Sequence, residues 1–324
     1  MAVDSETVTK LMGMLMPYAA EQRLKLLKDP RLAYYTTVDV AEKLIRNQEI
    51  WLRDCTLMND SMEVRHGIQL IDDYFAMEEN RAALADALGA HSDVALAVLK
   101  MFDEWKTDRS LETYLMSLSR HAPPDVPRAK EEDKHGRLSM WRGYGGPEGV
   151  ALVFNIPSGS VEGFNMFFSP VAYLDKIDAQ MDAVTQKLKK EHQFLSVVPR
   201  DLLVNGLFLT LVMAAVSLKH PGFHEEAEWR LLYMPSTYRS TFVTPHLEYP
   251  RAKAENVFKT TLPRLTNGGL AGMDLATLID RVIIGPTTSP GLLKERVVKA
   301  LSDMGITNPD KRVHISGIPY RFNT

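Results

Sequence analysis

Apolar residues recur at helical spacing through the first third of the chain and give way to strand-like runs beyond residue 111, so helices are predicted first and a sheet later. An N-terminal helix over residues 1–29 ends at Asp29-Pro30 and is followed by a short aromatic and β-branched strand at 32–36. Val38, Ala41, Leu44 and Ile45 mark one helix face, and Ile50, Trp51 and Leu52 a second short strand. Asn59, Asp60 and Ser61 supply turn and N-cap chemistry, with Glu63 in capping-box position. The spacing of Val64, Ile68, Ile71 and Phe75, and then of Val94, Val98, Met101, Phe102 and Trp105, predicts helices. Strand signals follow at 114–119, 150–154 and 171–173. Residues 121–137, rich in proline and charge and without periodicity, read as an exposed, mobile loop.

Two helices at 178–194 and 201–219 lead to a strand at 229–234, with further strands expected near 242–249 and 257–265. The tail is the clearest piece. A strand at 282–284 meets the turn Gly285-Pro286, a helix starts at Ser289 with Pro290 in its first position, and Gly305 precedes a strand at 313–315. This order predicts an α+β fold: a mixed, mainly antiparallel sheet core with a helical N-terminal region and a C-terminal βαβ-like unit. The expected organisation is a helix over 1–29, then one α+β domain over 30–324 carrying a helical insertion at about 62–110.

Composition narrows the partners. Of 324 residues 45% are hydrophobic and 24% charged, which excludes a disordered or fibrous chain. A net charge of -3 gives no global attraction to nucleic acid or anionic lipid. The single cysteine, Cys55, rules out an internal disulfide framework and reads as a small buried apolar residue. The N-terminus lacks the basic and apolar regions of a signal peptide, and the uncharged run 202–218 is short for a membrane span and interrupted by Asn205, Gly206, Thr210 and Ser217. A buried core helix and a cytoplasmic location are the expectation. Neither a dinucleotide nor a P-loop glycine pattern occurs, and no His-Glu-x-x-His zinc-hydrolase pattern is present.

Three segments carry candidate chemistry. In 224–230, alternation along a strand would place Glu226 and Glu228 on one face with His224 and Arg230, and Trp229 and Leu231 on the other. Paired carboxylates can perturb one another, share a cation or grip hydroxyls, and an edge strand with solvated acids explains the same pattern. Ser117 and Ser119 present two hydroxyls from one face while Leu118 packs, which a plain strand end also does. In 139–146, three glycines allow close backbone approach while Trp141 or Tyr144 stacks on a flat ring and Arg142 meets phosphate; a glycine-closed helix end with Trp141 in the core is the other reading. Asn59, Asp60 and Glu63 could join a metal site but fit a helix cap, and Gly285-Pro286-Thr287-Thr288 could hold an anion or simply be a turn and cap.

Taken together the chain resembles a bacterial family known as domain of unknown function 2971. The marks are a Tyr-Thr strand at 35–36, Asn-Asp-x-x-Glu at 59–63, Ser-Leu-Ser at 117–119, Trp-x-x-Tyr-Gly at 141–145 and Gly-Val-Ala at 149–151. Val-x-Tyr at 171–173, Glu-x-Glu-x-Arg at 226–230, Ile-Ile-Gly-Pro at 283–286 and Ile-Pro-Tyr-Arg at 318–321 complete them. Ala33 departs from the aromatic the family more often has. The order of aromatic, Ser-x-Ser and Glu-x-Glu strands is more weakly similar to ADP-ribosyltransferases.

That similarity implies an ADP-ribosyltransferase-like fold with NAD as substrate, no metal, and an unknown acceptor macromolecule. Glu228 would be catalytic and Glu226 would orient the acceptor. Ser117 and Ser119 would support the pocket, Tyr35 and Thr36 with Trp141 or Tyr144 would hold the nicotinamide, and Arg142 the pyrophosphate. Arg31 is the basic residue nearest the first strand. The implied activity is ADP-ribosyl transfer or NAD hydrolysis, in a toxin or phage-defence effector. A metal-dependent phosphodiesterase or nuclease using Asp60, Glu63, Glu226 and Glu228, and a non-catalytic nucleotide- or partner-binding module, are the alternatives.

Overall fold

A computed structural model describes residues 4–57, 63–108, 112–159, 161–248, 254–320 and 322. Asn59, Asp60 and Arg321 lie outside them, as does the side chain of Glu63, so the capping-box and metal readings there are not addressed. The chain folds as two units interleaved in sequence: Met1–Leu24, Cys55–Thr113 and Ser169–His224 form one, and Lys25–Asp54, Tyr114–Phe168 and Glu225–Thr324 the other. The helices expected over 62–110 therefore share a unit with the N-terminal segment and with residues 169–224.

The first unit is mainly helical. Asp4 caps the helix Ser5–Leu15 by accepting from the Thr7 N–H at 2.7 Å. A second helix, Pro17–Lys28, starts at a proline, whose missing N–H and fixed φ suit a first helical position. The N-terminal segment is thus two helices where the spacing predicts one. Arg200–Ser217, the helix among the described residues that is long and apolar enough to cross a membrane, is buried over most of its length. It packs on Glu63–Ala76 and Asp93–Asp108. Gly67 sets the first of these approaches, because a Cβ there would sit 2.8 Å from the Ala215 Cα. Gly67→Ala is expected to destabilise the protein by about 1–3 kcal/mol through overpacking, read as a lower urea midpoint.

The second unit holds the sheet, and β6 (Ala172–Tyr173) and β7 (Leu218–Lys219) form a separate parallel pair in the first. In chain order its strands are β1 (Arg31–Thr37), β2 (Glu49–Asp54), β3 (Tyr114–Arg120), β4 (Gly149–Asn155), β5 (Phe167–Pro170), β8 (Glu228–Tyr233), β9 (Thr244–Glu248), β10 (Glu255–Thr261), β11 (Ile279–Ile284) and β12 (Val313–Ile315). The order across the sheet is β12-β11-β4-β1-β3-β2-β10-β9, with β8 pairing β3 and β5 off this path. Within this sheet β1 with β3 and β4, β2 with β3 and β10, β9 with β10, β4 with β11 and β3 with β8 pair antiparallel, whereas β11 and β12 run parallel around the helix Pro290–Asp303. This is the α+β architecture, with the βαβ tail, that the hydrophobic pattern predicts.

Two predicted elements differ. The strand expected to reach residue 265 stops at Thr261, whose hydroxyl caps the helix Leu262–Asn267 by accepting from the Arg264 N–H; Pro263 lies in that helix's first turn. Residues 121–137 are not a free loop. His121, Ala122 and Pro123 are buried, and Ala129–His135 is a helix tied down by its carboxylates.

The sheet buries its two faces differently. One packs the large core that includes Leu32, Leu118, Leu152, Trp229, Leu231 and Val282. The other carries a small cluster of Ala33, Tyr35, Ala151, Val153 and Ile283, closed by Met140 and Trp141.

Candidate functional site

Directly paired residues on neighbouring strands share a face, so register alone assembles the site. Ala33 pairs with Ser119 and Val153, Tyr35 with Ala151, Ser117 with Arg230, and Ser119 with Glu228. Tyr35, Ser117, Ser119, Glu228 and Arg230 therefore lie on the small-cluster face. Thr36 does not: it is buried on the opposite face, beside the Tyr34 hydroxyl.

Glu228 is 4% exposed and Arg230 0%. Arg230 donates from Nε to Glu228 Oε1 at 2.9 Å and from Nη2 to Oε2 at 3.1 Å, and Ser117 Oγ donates to Oε1 at 2.5 Å. The result is a bidentate ion pair with a hydroxyl brace, enclosed by the fold. Glu226 does not continue the strand alternation. It ends the turn Pro221–Glu226, and Ala227, at φ +43°, takes the left-handed backbone that turns the chain into β8. Glu226 is half-buried and accepts from the Tyr144 hydroxyl at 2.8 Å, while its carbonyl accepts from Ser119 Oγ at 2.5 Å. His224 is exposed and its Nδ1 lies 3.1 Å from the Pro221 carbonyl oxygen.

Trp141 is not available to stack on a ligand. It is 0% exposed, its Nε1–H donates to the His135 carbonyl at 3.0 Å, and Tyr35 meets its ring edge-on at 4.7 Å between centroids. Gly136, Gly145 and Gly285 crowd the same indole, so glycine density here serves packing of a large ring. Tyr35 is buried too: its hydroxyl accepts from the Arg137 backbone N–H at 2.9 Å, and burial pushes its pKa up. Tyr144 is half-buried, and Arg142 is exposed with its guanidinium 4.9 Å from the centre of the Tyr320 ring. Of the 139–146 segment these two side chains remain in reach of a ligand.

The residue the sequence reading omits is Arg137. Its guanidinium donates to Ser119 Oγ at 2.9 Å, the Arg120 carbonyl at 3.0 Å, Glu132 Oε1 at 2.7 Å and the Glu225 carbonyl, joining β3 to the approach of β8. Alongside, Asp133 accepts from Arg31 at 2.6 Å and Arg281 at 3.0 Å. Burial raises the Asp133 pKa, but Arg281 and Arg31 outweigh it and hold the carboxyl below its usual value. Two hollows elsewhere, lined by Asp39, Glu42, Lys43, Arg46 and Asn47, and by Tyr114, His246, Leu247, Asn256 and Phe258 among others, include none of these candidates.

His121, buried beside Asp133, is held to a pKa of about 4, because burial disfavours the charged ring more than Asp133 favours it. Its folded pKa lies below its unfolded value, so the unfolded chain binds the proton first. The stability tied to a neutral His121 is fully present above pH ~6.5 and lost as pH falls from there toward 4, a change of about 3 kcal/mol. Urea midpoints across that range should fall in the wild type and fall less in His121→Phe.

Among the described residues, no group of three or more histidine, cysteine, aspartate or glutamate side chains is placed to hold a metal ion. No curated protein and no solved structure matches the chain. Residues 140–231 match the model of a family of proteins of unknown function, DUF2971; this stretch contains four of the nine marks of the resemblance, Trp-x-x-Tyr-Gly, Gly-Val-Ala, Val-x-Tyr and Glu-x-Glu-x-Arg, and the other five lie outside it.

Proposed function

We propose that the chain is a cytoplasmic enzyme of bacterial defence that cleaves NAD, transferring ADP-ribose to an acceptor or to water. The observation that carries this reading is the register of β3 on β8, which sets Ser119 against Glu228 and Ser117 against Arg230, lets the Ser117 hydroxyl donate to Glu228, and gathers two hydroxyls and two carboxylates where these strands meet. The chemistry asks for little more. The bond between the nicotinamide nitrogen and ribose C1′ breaks, its electron pair leaves with neutral nicotinamide, and positive charge develops on the ribose. Glu228 supplies negative charge beside it, oriented by Ser117 and Arg230. The acceptor oxygen then bonds to C1′ and gives its proton to Glu226, the more accessible carboxylate. Tyr144 offers the ring face and Arg142 the cation for the pyrophosphate. No metal takes part in this scheme.

One observation favours a second reading. Glu228 is nearly enclosed and both its oxygens already accept from Arg230 or Ser117, as in a purely structural ion pair. A non-catalytic nucleotide-binding module would need no more of it than that. Incubation of the full chain with NAD separates the two: the enzyme releases nicotinamide, whereas the binding module holds nucleotide without turnover. Cleavage of nucleic acid strictly dependent on magnesium would select a phosphodiesterase instead.

A further inference from the structure

Asp133 occupies an unusual position. Its Oδ1 accepts from Arg31 Nη1 at 2.6 Å and its Oδ2 from Arg281 Nη1 at 3.0 Å, so both oxygens are engaged. Behind it lies His121, whose side chain is 0% exposed and whose two ring nitrogens have no hydrogen-bond partner; Nε2 stands 3.5 Å from Asp133 Oδ1, too far to bond. A buried imidazole normally finds a partner, and each one left without costs free energy. Two cationic forks and one orphan nitrogen converge on a carboxylate that has only two oxygens to offer.

A tetrahedral oxyanion has the further oxygen that a carboxylate lacks. It could span Arg31 and Arg281 and still accept from His121 Nε2, the ring taking up a proton or its other tautomer. The geometry points to an anion site for a phosphoryl group, built from Arg31, Arg281 and His121 and filled in this structure by Asp133 as an intramolecular stand-in. Arg31 and Arg281 are also paired with Asp29 and Asp280, which pre-orient the guanidiniums. The site is reachable: Arg31, Asp133 and Arg281 are each between a fifth and two fifths exposed. Asp133 sits on the short helix Ala129–His135, which follows the exposed residues 124–128, so it can be displaced without unfolding a strand. This site uses neither Glu228 nor Glu226 and does not depend on the NAD reading.

The test uses the full chain and inorganic phosphate, followed by calorimetry and by the ring resonances of His121. Removing the stand-in with Asp133→Ala should tighten phosphate binding at least tenfold over the wild type, and Asp133→Ala with Arg281→Gln should abolish the gain. Should Asp133→Ala fail to fold, the wild type still decides: millimolar phosphate should shift the His121 resonances, and Arg281→Gln should remove the shift. A nucleoside monophosphate binding more tightly than phosphate would assign the phosphoryl group to a nucleotide, and equal affinity to the free ion; both support the site. No tightening in folded Asp133→Ala, or His121 resonances unmoved by phosphate in the wild type, would overturn it.

Discussion

Glu228→Gln should lower the unfolding free energy by about 3–5 kcal/mol, a large share of the stability of a typical protein. The reason is the fate of Arg230. Its guanidinium is 0% exposed and bidentate on Glu228, and an amide in place of the carboxylate removes the negative charge that this buried cation grips through two donors. Ser117 keeps an acceptor but loses a charged one. Removing the whole polar group is expected to be far milder. Glu228→Leu, Arg230→Met and Ser117→Ala together fill similar volume with apolar atoms, and such replacements are often neutral or stabilising. Urea unfolding of the single and triple variants checks this: recovery of most of the lost stability in the triple variant is the expected result.

Trp141→Ala should cost a comparable ~3–5 kcal/mol. The indole is among the largest fully buried side chains, the Tyr35 ring leans on it, and its loss orphans the His135 carbonyl. The surrounding glycines make the site hard to collapse, since no side chain from Gly136, Gly145 or Gly285 can move into the space. The same crowding predicts the opposite perturbation. In Gly285→Ala the new Cβ would lie 2.7 Å from Trp141 Cε3 and 3.0 Å from the Gly149 carbonyl oxygen, at a cost of about 1–3 kcal/mol. Thermal denaturation of both variants reads the two effects on one scale.

How much of this was legible in the sequence varies with the range of the interaction. Period-two and helical patterns located β3, β4, β8 and the β11-helix-β12 tail, because each buries a face that its own residues declare. Ser117 with Ser119, and Trp229 with Leu231, fell on the faces that alternation assigns. Glu226 did not, since the left-handed turn at Ala227 breaks the alternation and no local rule places alanine there. Trp141 was ambiguous in sequence between ligand platform and core. What decided it was Gly285, more than a hundred residues away, and distant packing is invisible to local pattern. Residues 121–137 misled for a related reason. Their charges read as solvated, yet Glu132 and Asp133 find Arg137, Arg31 and Arg281 only once β1, β11 and the helix Ala129–His135 have come together.

The carboxylates at the β8 end of the sheet carry the functional account, so the most direct measurement is nicotinamide release from NAD by the full chain and by Glu228→Gln, at a temperature where circular dichroism finds both folded. The wild type should release nicotinamide, and the variant should do so at least ~100-fold more slowly. No release by the wild type, or undiminished release by the folded variant, would contradict the assignment of NAD cleavage to Glu228.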